Sequence, residues 1–189
     1  EVNVVLCLAL DPAVSKNVSG YYDISKIAKE SSIPYHYFKK INSKEIVMQI
    51  KNANLDLLFV VGFSQLIRKE IIDLPKLGCI GFHPTKLPVG RGRAPVAWIL
   101  IDNIPTAATF FLIDEGTDSG NIIIQENYIV TENDYARDVI SKIAYAIEKG
   151  LDKLLPDLKY GNFNQIPQDH SKATYYGRRT EKDGYIDWN

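Results

Sequence analysis

The residues best suited to chemistry in this chain lie in two short segments. The first runs Gly81-Phe82-His83-Pro84-Thr85-Lys86-Leu87-Pro88-Val89-Gly90-Arg91-Gly92-Arg93-Ala94-Pro95. Pro84 and Pro88 fix the chain there, and Gly90 and Gly92 let the backbone approach a ligand. An imidazole titrates near neutrality, so His83 suits proton relay or stabilisation of an oxyanion. Arg91 and Arg93 suit an anionic ligand, because a guanidinium fork matches phosphate geometry. The second segment, Ile113-Asp114-Glu115-Gly116-Thr117-Asp118-Ser119-Gly120, places three acids in a glycine-flanked loop. Each feature also has a plainer account. A histidine at a strand end is often structural, an arginine often pairs with a nearby acid, and acidic glycine-bearing turns are common.

These segments need elements to hold them. Val4 to Leu8 reads as a buried strand, and Tyr35 to Phe38 as another after Pro34. Ile24, Ile27 and Ala28 fall on one helical face. Asn42-Ser43-Lys44-Glu45 has cap spacing ahead of Ile46, Val47 and Ile50, which predicts a helix start. Leu57 to Val61 is a continuous apolar run, as is Cys79 to Phe82, so both read as interior strands buried on two faces. A short helix is expected over Ile67 to Ile72. Pro95 stands at a first helical position before Val96 to Leu100. Thr106 to Ile113 and Asn121 to Gln125 read as strands. Tyr135, Val139, Ile143, Ile147, Leu151 and Leu154 recur at helical spacing, with Pro156 as the expected stop. Residues 159–189 read as an irregular tail. Strands alternating with helices in the first half predict an α/β layered fold with a mainly parallel central sheet and helices on both faces. Ligands in such sheets bind beyond the carboxyl ends of strands, which selects the residues after Val61 and after Phe82.

Composition narrows the functional classes. Lys and Arg number 22 against 23 Asp and Glu, and a formal net charge of −1 carries no footprint for nucleic acid or an anionic membrane. No apolar run approaches the roughly 18 residues of a membrane span. Two cysteines, Cys7 and Cys79, cannot build a disulfide framework and read as buried thiols of a reducing, cytoplasmic protein. No cluster of metal-ligating residues stands out, so no metal is expected.

Taken together, His83-Pro84-Thr85-Lys86-Leu87-Pro88, Arg91-Gly92-Arg93-Ala94-Pro95 and Asp114-Glu115-Gly116-Thr117-Asp118-Ser119-Gly120 resemble the formyltransferase family in order and spacing. That family includes the methionyl-tRNA, glycinamide ribonucleotide and sugar-nucleotide enzymes. Gly62 to Ile67 is similar to the family's folate-pocket loop. Ala173 to Arg179 and Asp183 to Trp188 are similar to the end of the domain in the tRNA and sugar enzymes. The resemblance implies one Rossmann-like catalytic domain over residues 1–189, beginning at the family's second strand, with the first strand and helix not seen before Val2.

It also implies roles. His83 and Asp118 are the expected catalytic pair. Phe63, Ser64, Gln65, Leu66, Ile67, Asp114, Glu115, Gly116 and Thr117 are expected to hold 10-formyltetrahydrofolate, the formyl donor. Pro84, Thr85, Arg91 and Gly92 are expected to meet a small-molecule amine, most naturally on a nucleotide-linked sugar. Two departures matter: the family's Asn two residues before the His is Gly81, and a position that can be His in relatives is Phe111. Near-neutral charge disfavours tRNA as acceptor. A methionyl-tRNA enzyme stands as the alternative, as does a non-catalytic folate-binding relative, which Gly81 makes conceivable.

Overall fold

A computed structural model describes residues 2–18, 20–63, 65–186 and 188. The chain divides into two compact units, residues 1–58 with 63–79 and residues 59–62 with 80–189.

In the first unit, β1 (Cys7–Leu10) pairs in parallel with β2 (Tyr35–Phe38), from Cys7 opposite Tyr35 to Leu10 opposite Phe38. A parallel pair needs a crossover, and α1 (Ser25–Glu30) supplies it. The inward residues of α1 are Ser25 and Ala28, while Ile24 and Ile27 are exposed, contrary to the helical-face expectation. The cause is polar: Ser25 Oγ lies 2.7 Å from the Tyr37 hydroxyl, which also donates to Asp23. That network turns the serine toward the sheet.

The helix start expected from Asn42 to Glu45 is present. Ser43 caps α2 (Lys44–Ala53), its hydroxyl accepting from the Ile46 amide at 3.5 Å. Ile46, Val47 and Ile50 are buried with Phe38, Ile41 and Ile71. Each such side chain contributes roughly 1.5–3 kcal/mol on leaving water. The short α3 (Lys69–Ile72) adds Ile71 to this core.

Cys79 closes the first unit. It is buried, its thiol donates to the Ile71 and Ile72 carbonyls at 3.9 and 3.8 Å, and burial, with Asp73 adding, pushes its pKa up to about 12. The thiolate is the reactive species. A thiol reagent at pH 8 should therefore leave Cys79 untouched in the native protein and modify it on unfolding. Modification of folded protein on the timescale of a free thiol would contradict the burial.

The second unit is built on a four-stranded sheet in the order β3 (Leu58–Val60), β4 (Cys79–Thr85), β6 (Thr106–Leu112) and β7 (Ile122–Asn127). β4, β6 and β7 are antiparallel neighbours. Parallel and antiparallel pairings are both present, and the α/β fold as a whole is mixed. β3 lies at one end of this sheet, and Phe59 and Val61 are 37% and 52% exposed. An apolar run does not distinguish an end strand from an interior one, which is why the expected two-sided burial is not met there. β4, by contrast, is buried through nearly all its length.

α4 (Pro95–Asp102) starts on Pro95 as expected. α5 (Ala136–Lys159) packs on α4, β6 and β7, with Val139 and Ile143 against Ile99 and Ile104. It runs through Pro156 rather than stopping there. An interior proline costs about 3 kcal/mol, but Leu154 and Leu158 are both buried across that turn and offset it. The tail is also more ordered than its composition implies: β8 (Tyr175–Tyr176) pairs in parallel with β5 (Arg91–Gly92), and Ile166 bridges Ile122. Among the described residues, no helix is long and apolar enough to cross a membrane.

Candidate active site

His83 lies within β4, opposite Thr109 on β6, rather than just past the strand end. The next residue, Pro84, has no amide hydrogen to give the ladder, and the register shifts between His83 and Thr85. The irregularity frees the chain to turn. Thr85 Oγ1 donates to the Val89 carbonyl at 2.8 Å and lies 3.3 Å from that of Gly90, folding residues 85–90 back over His83.

This turn sets the imidazole. His83 is buried, and its Nε2 lies 2.8 Å from the Gly90 carbonyl oxygen. A carbonyl only accepts, so Nε2 carries the hydrogen, and Nδ1 is the lone pair of the neutral ring. Nδ1 faces Asp118 Oδ2 at 3.6 Å. That gap is longer than a hydrogen bond. It places a carboxylate where it stabilises a proton arriving on Nδ1.

Asp118 is held from several sides. Its Oδ2 accepts from the Gly92 amide at 2.8 Å, and its carbonyl accepts from Gln168 Nε2 at 2.9 Å. Its φ is +49°, in the left-handed region that non-glycine residues seldom adopt. Gly92 is required where it stands: φ is +112°, and an added Cβ would sit 2.2 Å from the Tyr176 carbonyl oxygen across the β5–β8 pairing. The amide that anchors Asp118 is thereby tied to the tail.

The expected acceptor-binding residues have other work. Arg91 is wholly buried; it gives Nε and Nη2 to Gln168 Oε1 at 3.2 and 2.6 Å, Nη1 to the Tyr175 hydroxyl at 2.6 Å, and Nη2 to His170 Nδ1 at 3.2 Å. Its donors are directed at the protein rather than at a ligand. Thr85 is buried with its hydroxyl spent on the turn. Pro84 is buried too, its carbonyl taken by the Tyr128 hydroxyl at 2.6 Å, and burial pushes that phenol's pKa upward. Arg93 is the exposed member of the pair, and its side chain makes no hydrogen bond or ion pair among the described residues. Sequence spacing does not point to Gln168, Tyr175 or His170, which lie in the segment expected to be an irregular tail. An arginine among glycines and prolines, with no acid nearby, was the available signal.

A family model for formyl transferases matches residues 10–155. The chain belongs to the formyl transferase family. Solved structures share the fold of this formyl transferase. The formyltransferase PseJ from Anoxybacillus kamchatkensis, solved in complex with UDP-4,6-dideoxy-4-formamido-L-AltNAc and tetrahydrofolate, is 22% identical over 92% of this chain and 85% of its own, with a TM-score of 0.68. Methionyl-tRNA formyltransferase from Clostridium thermocellum is 22% identical over 99% of this chain and 78% of its own, with a TM-score of 0.67. Phosphoribosylglycinamide formyltransferase from Bacillus halodurans is 23% identical over 82% of each chain, with a TM-score of 0.69. The α/β, Rossmann-like architecture of the family is therefore present.

In this formyl transferase the expected donor-binding residues divide between the two units. In the first, Gln65 spends its carboxamide internally, Oε1 accepting from the Ile41 amide at 3.0 Å and Nε2 donating to the Lys39 carbonyl at 3.0 Å. Phe63 and Ile67 pack on the Phe38–Ile71 core, whereas Leu66 is 78% exposed. Ser64 lies outside the described residues. In the second, Asp114 Oδ1 accepts from the Gly116 amide and the Ser119 hydroxyl at 2.9 and 2.7 Å, which shapes the turn and leaves Glu115, Gly116 and Thr117 exposed. Gly81 stands opposite Phe111, whose ring fills the space a side chain at position 81 would take.

Proposed function

We propose that this formyl transferase moves the formyl group of 10-formyltetrahydrofolate onto a primary amine, that of a nucleotide-linked amino sugar. The observation that carries the reading is the buried His83 ring, with Nε2 spent on Gly90 and Nδ1 facing the Asp118 carboxylate. The amine nitrogen bonds to the formyl carbon, giving a tetrahedral oxyanion. The bond from that carbon to N10 then breaks. His83 Nδ1 takes the amine's proton and delivers it to the departing nitrogen, while Asp118 stabilises the transient imidazolium. With glycine at position 81, a backbone N–H or a water must stand in for the family's carboxamide at the oxyanion.

Leu66 is exposed and apolar, which suits contact with the donor's ring. In the second unit, the exposed turn Glu115 to Thr117 offers backbone groups that suit hydrogen bonds to a polar ligand edge. Arg93, rather than Arg91, is the guanidinium free for an acceptor phosphate. The sugar acceptor is supported by PseJ, solved with a UDP-linked formamido sugar. The likeness to a methionyl-tRNA enzyme over 99% of this chain supports tRNA as the second reading.

The test is incubation with 10-formyltetrahydrofolate and a panel of nucleotide-linked amino sugars, glycinamide ribonucleotide and methionyl-tRNA. The expected product carries the added mass of one formyl group on the amino sugar. A protein that binds the donor and transfers to none of them is a binding-only relative. Leu66→Asp should weaken binding of a folate analogue by about tenfold or more, the value of roughly 1.4 kcal/mol of lost apolar contact, with the fold unchanged because the side chain is exposed. Unaltered affinity by calorimetry would place the donor away from this loop.

A further inference from the structure

Arg91 is fully enclosed, yet it meets no carboxylate among the described residues; its acceptors are a carboxamide, a phenol and an imidazole. The carboxamide belongs to Gln168, itself 6% exposed. Because Nε and Nη2 of Arg91 both donate to Gln168 Oε1, the orientation of that amide is fixed. Its NH2 group must then point the other way. It does, donating to the carbonyls of Asp118 at 2.9 Å and Gly120 at 2.7 Å. Every polar atom of the side chain is used. The two carbonyls flank Ser119, in the stretch where Asp118 adopts its left-handed φ.

We propose that Gln168 is a positioning residue for formyl transfer: its carboxamide, aligned by Arg91, holds the Asp118 loop so that the carboxylate faces His83. The inference rests on the formyl-transfer reading. The physical argument is one of polarity. Asp118 needs a donor on its main chain, and Arg91 needs an acceptor. Only a group with one of each, oriented one way, serves both. Gly92 then completes the clamp, its amide 2.8 Å from the Asp118 carboxylate.

Gln168→Glu separates this role from a structural one. Glutamate has the same shape and accepts from Arg91 as an ion pair, so the tail stays attached. It offers no N–H, so the Asp118 and Gly120 carbonyls lose their donor and face an oxygen. The expected result is a folded variant whose kcat falls about a hundredfold, the cost of an ångström-scale misplacement, while the KM for 10-formyltetrahydrofolate changes much less. Amide hydrogen exchange at Gly92 should rise about tenfold or more as its acceptor is released. A folded Gln168→Glu protein with unaltered kcat and unaltered Gly92 protection overturns the proposal. If that variant does not fold, Gln168→Met, of similar shape and uncharged, is read in the same way. If the wild-type protein transfers no formyl group, the formyl-transfer reading fails, and the Gly92 exchange still decides whether Gln168 sets the loop.

Discussion

His83→Ala is expected to lower the rate of formyl transfer by about 10²–10⁴, the range that a positioned general acid–base contributes. The size of the effect follows from how the ring is held. Gly90 takes Nε2, so the imidazole cannot rotate freely, and the nitrogen left for proton transfer already faces a carboxylate. For the proton relay proposed for His83, a ring held in this way needs little reorganisation. Asp118→Ala should cost less, since the imidazole survives while its charge partner and the acceptor of the Gly92 amide are lost.

A structural histidine predicts something different. His83→Gln offers an N–H that can serve the Gly90 carbonyl but no proton-carrying nitrogen at Nδ1. If the histidine only braces the 85–90 turn, His83→Gln should restore most of the activity lost in His83→Ala. If it relays a proton, both variants should be comparably slow with similar melting temperatures. Single-turnover rates with the best acceptor, measured beside thermal denaturation, separate the two. A near-wild-type rate for His83→Gln would remove His83 from the chemistry.

The elements that carry this pair were mostly legible in the sequence, and the misses have physical reasons. The spacing from Asn42 to Glu45 and the placement of Pro95 are local signals, and local hydrogen bonding realises them at α2 and α4. Phe59 and Val61 were misjudged because a strand's place in its sheet is set by distant partners. His83 was placed one step too late because a proline after it looks like a strand end, whereas the antiparallel ladder absorbs Pro84 as an irregularity and resumes at Thr85. The largest gap was the tail. Gln168, His170 and Tyr175 lie 77 to 84 residues from Arg91 and show no periodicity; only the folded chain brings these neutral groups to one guanidinium. Without them Arg91 looked free for phosphate. The segment expected to be an irregular tail is the one whose Gln168 hydrogen-bonds the loop bearing Asp118.

The departure at Gly81 has a structural explanation, and it yields a second large effect. Gly81 and Phe111 are directly paired across β4 and β6. A Cβ at position 81 would sit 2.8 Å from Phe111 Cζ and 3.0 Å from Ile113 Cγ1. The ring cannot swing aside cheaply, because Phe111 is 4% exposed and packed with Leu87, Ile122 and Ile113. Gly81→Asn therefore overpacks a closed core at about 1–3 kcal/mol. It also buries a carboxamide, at about 1–3 kcal/mol more if that group finds no partner. The expected result is a total of roughly 2–6 kcal/mol in a denaturant titration. Phe111→Ala alone leaves a cavity and costs about 3–5 kcal/mol. Combining the two lets the new side chain occupy the vacated space. The double variant should thus be more stable than the sum of the single losses by about 0.5–3 kcal/mol, the coupling typical of touching residues. Formyl transfer should follow the same logic: Gly81→Asn gains nothing against an intact ring, and any gain from a restored carboxamide appears only beside Phe111→Ala. Strict additivity of the two substitutions would show that the ring and the missing side chain do not compete for one space.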